Sequence, residues 1–495
     1  MEPTPSPYNW ETPQRQPVAG LLIVFIKTAR EIIKVLWPIL LFSLFDTKPE
    51  EADEVKAVNK FHVLIALFIG LTVIGSILKF LYFRFSILNE ELVIQKGWLK
   101  KTTVIIPLQK IQTIHIEQSF LHQLLGIVKA SIDTAGSSKA EASIDALHLS
   151  MAKALQVRVQ AIDKEEALAT TDQQLTLPLL HLSTNDLVRL SLSANHVEAF
   201  FVLLSFAYGA YDNLKRISGQ VVSDASVMLP SSSLLFLSIV TFIVLCITIL
   251  ISTIRIFLKF YDYKVWQQRT GFYLKGGFTN VKEQLVPLTK IQFITWRANW
   301  VRKQLGLWML EYKVAGSDDL KSAQRVEVPI TRSSYITDLV APYAPIPDTQ
   351  ASQAIRIHPS YVYRRLLIAG ILPALVLIAG TWPWWEGKAL LFLVLPLLVG
   401  MKAALLQKRF RLYAYDDLVY INRSVYGTTY TLLSWYKLQS VSLEQNLYQR
   451  GRHLATVRLH TASGNITLPY LSLEEARAIA NYALYQVEST NRSWM

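Results

Sequence analysis

One passage of this chain recurs without a gap. Gly97, Pro107, Leu108, Lys110, Ile111, Gln112, Ile114, Leu125, Gly126, Ala135, Gly136 and Ser137 return at one constant offset as Gly277, Pro287, Leu288, Lys290, Ile291, Gln292, Ile294, Leu305, Gly306, Ala315, Gly316 and Ser317. Chance would match only a few positions in a stretch of that length. A third, fainter copy follows, in which Lys110, Gln112, Glu117, Gln118, Thr134 and Ala135 return as Lys437, Gln439, Glu444, Gln445, Thr461 and Ala462. Each copy is preceded by a long apolar segment ending in an aromatic–basic–apolar triplet: Phe83-Arg84-Phe85, Tyr263-Lys264-Val265 and Phe410-Arg411-Leu412. A repeat constrains the fold strongly, because one supersecondary unit must serve at every occurrence. Here the unit is a membrane anchor followed by a small domain, used three times.

Composition agrees. A chain of 495 residues has room for about three domains. It is 51% hydrophobic and only 18% charged, which is ordinary for a chain that crosses a bilayer several times. The single cysteine, Cys246, lies in an apolar stretch, which excludes a disulfide framework or a cysteine metal site. A net charge of +13 is compatible with nucleic acid, but much of it clusters where apolar segments end. That pattern reads as topology and attraction to a membrane surface.

Five apolar stretches approach the roughly 20 residues that span a hydrocarbon core: Phe61 to Tyr82, Leu192 to Tyr211, Leu234 to Phe257, Leu366 to Trp385 and Ala389 to Gln407. A sixth lies near the N-terminus. There Lys27, Arg30, Glu31 and Lys34 share one helical face between Leu21 to Ile26 and Ile32-Ile33. That spacing predicts an amphipathic helix on the membrane surface that turns in to span through Val35 to Phe45. A signal peptide does not fit, since basic residues interrupt the apolar run and no small-residue cleavage site follows Phe45. Lys79, Arg84, Arg255, Lys259, Lys264, Arg364, Arg365, Lys402, Lys408, Arg409 and Arg411 flank one side, while the loops at 46–60, 212–233 and 382–388 carry no basic excess. The positive-inside rule then puts both termini and all three repeated domains in the cytoplasm. Trp382, Trp384 and Trp385 fit an aromatic belt at the outer interface.

After each triplet the pattern changes to period two. Ile114 and Ile116 alternate with Thr113, His115 and Glu117, and Val457 and Leu459 alternate with Thr456, Arg458 and His460. A turn at Ser463-Gly464-Asn465 returns the chain through Ile466, Leu468 and Tyr470 as a hairpin. Ser472 and Glu475 then form a capping box, opening a helix whose Ala476, Ile479, Ala480, Ala483 and Val487 share a face. Short strands closed by one packed helix predict a compact, strongly bent sheet or barrel.

The unit resembles the bacterial pleckstrin-homology-like (PH-like) domain, and nearly the whole chain resembles bacterial membrane proteins carrying several such domains after paired transmembrane helices. The resemblance rests on the Pro-Leu-x-Lys-Ile-Gln segment, the Leu-Gly after it, the Ala-Gly-Ser turn, the closing helix and the run Arg356-Ile357-His358-Pro359. The third copy departs where Ser434-Trp435 replaces Pro-Leu and His453 replaces the glycine. The fold class implied is an α+β membrane protein, paired transmembrane helices alternating with three PH-like domains. The expected boundaries are 18–83 for an amphipathic helix and transmembrane pair and 84–165 for the first PH-like domain. A linker and pair over 166–258 lead to the second domain at 259–345, and another over 346–407 to the third at 408–490. The family supplies no catalytic residue to carry over. It does imply a partner, since long members occur alongside a shorter single-repeat relative: a smaller PH-like membrane protein, or failing that self-association.

Little in the sequence points to chemistry. No phosphate-binding glycine loop, nucleophile elbow or His-Glu-x-x-His occurs, and no cofactor, metal or small-molecule substrate is expected. His115 and His122 are spaced badly for one helix face, and His196 and Glu198 begin an apolar segment where an interface would solvate them. Lys402 can snorkel to the basic side. The glycosylation sequons at Asn422, Asn465 and Asn491 fall on the expected cytoplasmic side. Lys110, Lys290 and Lys437, each beside its glutamine, either meet a ligand at a barrel mouth or build a turn the fold needs. The candidate contact site is a basic-aromatic cluster of Arg297, Arg302, Lys303, Trp296 and Trp300, suited to lipid headgroups or a protein partner. Nucleic acid would use similar residues, but a domain beside the bilayer reaches headgroups first. The leading expectation is a non-enzymatic inner-membrane scaffold; the alternative is a component or regulator of a membrane transport or export system.

Overall fold

The computed structural model describes residues 8–45, 52–134, 142–162, 177–207, 209, 234–315, 325–350 and 352–489. Ala135-Gly136-Ser137, Gly316-Ser317, the loop at 212–233 and Asn491 lie outside the described residues. Strand β1 (Gln14–Arg15) precedes the first copy, which runs β2 (Arg84–Leu88), β3 (Glu91–Lys96), β4 (Thr102–Pro107), a 3-10 turn at Leu108–Lys110, β5 (Ile111–Ser119), a short helix Phe120–Leu124, β6 (Ile127–Thr134), β7 (Ala142–His148) and a helix Leu149–Ile162. After β8 (Leu180–His181) the second copy repeats this order. It has β9 (Lys264–Gln268), β10 (Gly271–Gly276), β11 (Asn280–Pro287), a turn Leu288–Lys290, β12 (Ile291–Ala298), a helix Trp300–Gln304, β13 (Trp308–Val314), β14 (Arg325–Ile330) and a helix Ser334–Val340. The third has β15 (Arg411–Ala414), β16 (Leu418–Asn422), β17 (Thr428–Ser434), a turn Trp435–Lys437, β18 (Leu438–Glu444), a helix Leu447–Arg450, β19 (Leu454–Thr461), β20 (Gly464–Ser472) and a helix Leu473–Ser489.

The triplets mark where a helix hands over to the first strand of each copy. Phe83 and Phe85, Tyr263 and Val265, and Phe410 and Leu412 are all buried, and the basic residue between them points the other way. A second feature accompanies them. The residues Phe85, Val265 and Leu412, equivalent in the three copies, pair antiparallel with Gln14, Leu180 and Ile355 respectively. Each partner lies upstream of the long helices. The chain therefore leaves the sheet, runs through its helical segments and returns to the strand it left.

Contacts divide the chain into two units, Met1–Leu177 with Leu274–Leu285, and Pro178–Tyr273 with Val286–Met495. In the first, β1 to β4 form one antiparallel sheet in chain order and β5 to β7 continue a second, so β4 and β5 do not pair. Phe85, Leu92, Ile94, Ile106, Ile111, Ile114, Ile116 and Ile132 fill the space between them. The helix Leu149–Ile162 lays Ala152, Leu155 and Val159 onto this core. Strand β5 also takes on β11 of the second copy, with Ile116 opposite Glu283, Glu117 opposite Lys282 and Gln118 opposite Val281.

In the second unit β14, β13, β12, β17, β16 and β15 form one antiparallel sheet in that order, and β18, β19 and β20 another. Here β12 of the second copy pairs with β17 of the third: Trp296 faces Tyr430, Arg297 faces Thr429 and Ala298 faces Thr428. These are the equivalents of the three pairs between the first and second copies. Two joints thus use one register. Gly427 lies where a Cβ would come within 2.2 Å of the Ala298 carbonyl oxygen, so the joint admits no side chain there. The hairpin and capping box expected near the C-terminus are present: Thr461 pairs with Gly464, and Glu475 N–H donates to Ser472 Oγ at 3.2 Å.

The helical segments differ in part from expectation. The N-terminal helix runs unbroken from Ala19 to Phe45 and does not turn after Lys34. Its first half packs on protein: Ile23 is buried with Ile127 and Ala146, and Lys27 pairs with Asp145 at 2.7 Å. A second helix covers Ala52–Leu81, and Thr28 and Ser76 hydroxyls meet at 2.6 Å. Among the described residues, Ser238–Phe260 and the run Ser360–Arg409 are long and apolar enough to cross a membrane. The helices Thr184–Leu192 and Val197–Ala207, bent by 65°, form a third candidate. The run Ser360–Arg409 folds back at Glu386 (φ 43°), which brings Gly370 against Pro396, where an added Cβ would sit 2.9 Å from the proline Cα. Two of the expected apolar stretches are therefore the legs of one hairpin.

Gly126, Gly306 and His453 occupy one position in the three copies, and all three have left-handed backbones, with φ of 64°, 69° and 52°. The third copy keeps the conformation and loses the residue that adopts it freely. His453→Gly is expected to raise the unfolding midpoint, a gain of up to about 1 kcal/mol, while Gly306→Ala costs about 1–2 kcal/mol. Denaturant titration of both variants checks this; a destabilised His453→Gly would contradict it.

Candidate functional site

The basic-aromatic cluster sits at the end of β12 and on the short helix after it. Trp296 is buried, with its ring 6.0 Å from that of Tyr420 and 5.7 Å from that of Tyr430. It belongs to the joint between copies and presents nothing to a ligand. Arg297, opposite in pleat, is exposed and pairs with the buried Glu311 carboxylate at 2.6 Å, which also holds Lys313 at 3.0 Å. Asn299 caps the helix by accepting from Arg302 N–H at 2.7 Å, and its amide donates to the Ser193 carbonyl at 2.7 Å. Arg302 Nε reaches Ser193 Oγ at 3.4 Å. Burial, and then the neighbouring Arg297, lower the pKa of Arg302 from its ordinary value. Lys303 is exposed, and Trp300 at the first helical position is 66% exposed. Ser193 ends the helix Thr184–Leu192, just before the bend into Val197–Ala207, so Arg302 and Asn299 are fixed beside the entry to an apolar helix.

This position repeats. Phe120 in the first copy, Trp300 in the second and Leu447 in the third each open the same short helix, and they are 58%, 66% and 86% exposed. Leu124 and Leu305 nearby are exposed as well. In the third copy Arg450 and Arg452 flank the tip, and Arg452 lies over the Tyr448 ring at 5.1 Å. Sequence comparison missed this feature because the three residues differ; only the apolar character is shared. The signal available was a large apolar residue directly after Ser119, Asn299 and Asn446, residue types that favour helix N-caps.

Lys110, Lys290 and Lys437 each close the 3-10 turn between two strands of their copy. Leu108, Ile111 and Ile291 are buried around it, and Lys437, 1% exposed, donates from Nζ to the Thr289 carbonyl of the second copy's turn. Desolvation pushes the Lys437 ammonium down to about 8. Lys290 is buried too, whereas Lys110 is exposed. His122 is held inside by Ser119 at 2.5 Å and the Asp145 carbonyl at 3.0 Å. Glu198 is exposed at the bend, and His196 beside it is half-buried.

Residues 32–167, 220–351 and 364–487 each match the bacterial PH domain, so the chain belongs to that family, with three copies. Each match takes in a long helix as well as the sheets after it. The UPF0699 transmembrane protein YdbT of Bacillus subtilis (strain 168) is 21% identical over 441 residues, which covers 85% of this chain and 88% of that protein. This similarity to a transmembrane protein and the apolar helices agree on a membrane location.

The two tryptophans of the cluster have separate duties, and their substitution separates them. Trp296→Ala removes a buried ring and is expected to cost about 3–5 kcal/mol. Trp300→Ala is expected to stay within about 0.5 kcal/mol of the parent. Equal losses in chemical denaturation would contradict the assignment.

Proposed function

We propose that the chain is a non-enzymatic, multi-pass inner-membrane scaffold holding three PH-like domains at the cytoplasmic membrane surface, where they take lipid headgroups and proteins. One observation carries this reading: the strand pairs Gln14 with Phe85, Leu180 with Val265, and Ile355 with Leu412 bracket the long apolar helical segments among the described residues. A segment that starts and ends at one sheet crosses a bilayer an even number of times. This supports paired spans with all three domains on one face, and the basic flanks favour the cytoplasm as that face. The exposed tips Trp300 and Leu447, each flanked by Arg or Lys, support contact with the bilayer, since such a tip suits the headgroup boundary, and Phe120 repeats the apolar residue without the basic flank. Each basic residue near an anionic surface adds about 1 kcal/mol of attraction.

Reconstitution of the full chain tests this. With Cys246→Ser as background, a fluorophore on Trp300→Cys should be quenched by nitroxide-labelled lipids in anionic bilayers. Quenching should weaken when Arg297, Arg302 and Lys303 become glutamine, and should weaken with salt on the scale of a Debye length of about 8 Å at physiological ionic strength. Quenching no greater than at an exposed β19 position would overturn the headgroup reading.

A further inference from the structure

Two joints inside the chain share one register, and the same two edges remain open at its ends. Strand β5 receives β11, and β12 receives β17. By that rule β18 in the third copy is a receiving edge and β4 in the first is an inserting one, and among the described residues no strand pairs with the outer edge of either.

Exposure at equivalent positions marks what is missing. Leu443 is 37% exposed, while its equivalents Ile116 and Trp296 are 2% and 3%. Ile105 is 55% exposed, while Leu432, its equivalent in β17, is fully buried. Lys110 is exposed, whereas Lys437 is buried and bonded to the preceding copy's turn. Each difference falls on a residue that a neighbouring copy would cover. Long edge strands with apolar side chains invite pairing, and neither of these carries a proline or bulge at its centre to prevent it.

We infer that a second copy of this chain docks its β4 edge, antiparallel, onto β18, continuing the register of the internal joints. Val441 then faces Ile105, Ser442 faces Val104, Leu443 faces Thr103 and Glu444 faces Thr102. Lys110 of the incoming chain reaches the turn Trp435–Lys437, as Lys437 reaches Thr289. The contact is head to tail, so it leaves an open edge at each end of the pair and extends into a ring or a linear array. This deepens the scaffold reading by naming its partner, yet it is measured apart from headgroup contact at Trp300.

Two differently tagged full chains, both Cys246→Ser, are co-expressed, one with Thr102→Cys and the other with Glu444→Cys. Directly opposed residues of an antiparallel pair have Cα atoms about 4.5–5.5 Å apart, within disulfide reach. Mild oxidation of isolated membranes should give a mixed disulfide carrying both tags. Thr103→Cys with Glu444→Cys should give roughly tenfold less, because a one-residue slip sends the side chains to opposite faces. Adding Ile105→Asp and Lys110→Asp to the Thr102→Cys chain should abolish the product while maleimide still labels both thiols. No mixed disulfide between labelled chains, or equal yields for matched and offset pairs, would overturn the inference.

Discussion

The organisation of this protein depends on backbone pairing between strands far apart in sequence. The bonds from Gln14, Leu180 and Ile355 to the first strand of each copy are few, two residue pairs or a single bridge. Their consequence is large, because they tie the two ends of each helical excursion together. An isolated apolar hairpin could insert in several ways; one whose ends are fixed to a single sheet has its number of crossings restricted. Backbone groups at such a sheet edge are costly to leave unpaired when buried, which keeps the closure in place.

A second set of pairings joins copy to copy. The sheets of one copy do not close on each other, since β4 does not pair with β5, nor β17 with β18. Instead the fourth strand of a copy takes the third strand of the next. The aromatic face formed by Trp296, Tyr420 and Tyr430, and the hydroxyl contact of Thr295 with Thr431 at 3.1 Å, show how side chains have adapted to one such joint. In the first joint the same role falls to the ion pair between Lys282 and Glu117 at 3.0 Å. The common register with different side chains implies that the backbone ladder sets the geometry and side chains tune it.

Much of this was legible in the sequence. The repeat, the alternation around Ile114 and Val457, the capping box at Ser472 and the apolar legs around Glu386 all follow from local periodicity and turn chemistry. The triplets were visible too, although their reason, a helix running into the first strand with buried residues on either side of a basic one, was not. What stayed hidden is non-local. Strands of two residues at 14–15 and 180–181 carry no periodic signal, and no residue pattern announces which edge meets which. Trp296 and Trp300 look alike, four positions apart in one cluster, and only strand pairing separates the buried ring from the exposed one. An amphipathic face suits a protein sheet as well as a bilayer, so the packing of Ile23 on Ile127 and Ala146 was not visible in the pattern of the N-terminal helix.

The claim that each helical excursion returns to its own sheet is tested most directly by mapping sidedness along the full chain. Reporter fusions after Thr47, Gly219 and Trp385 should read as external, and fusions after Ser138, Ser317 and Met495 as internal. Positions 138 and 317 reading on opposite sides would require an odd number of crossings between Leu180 and Val265, which that strand pair forbids, and would contradict the account.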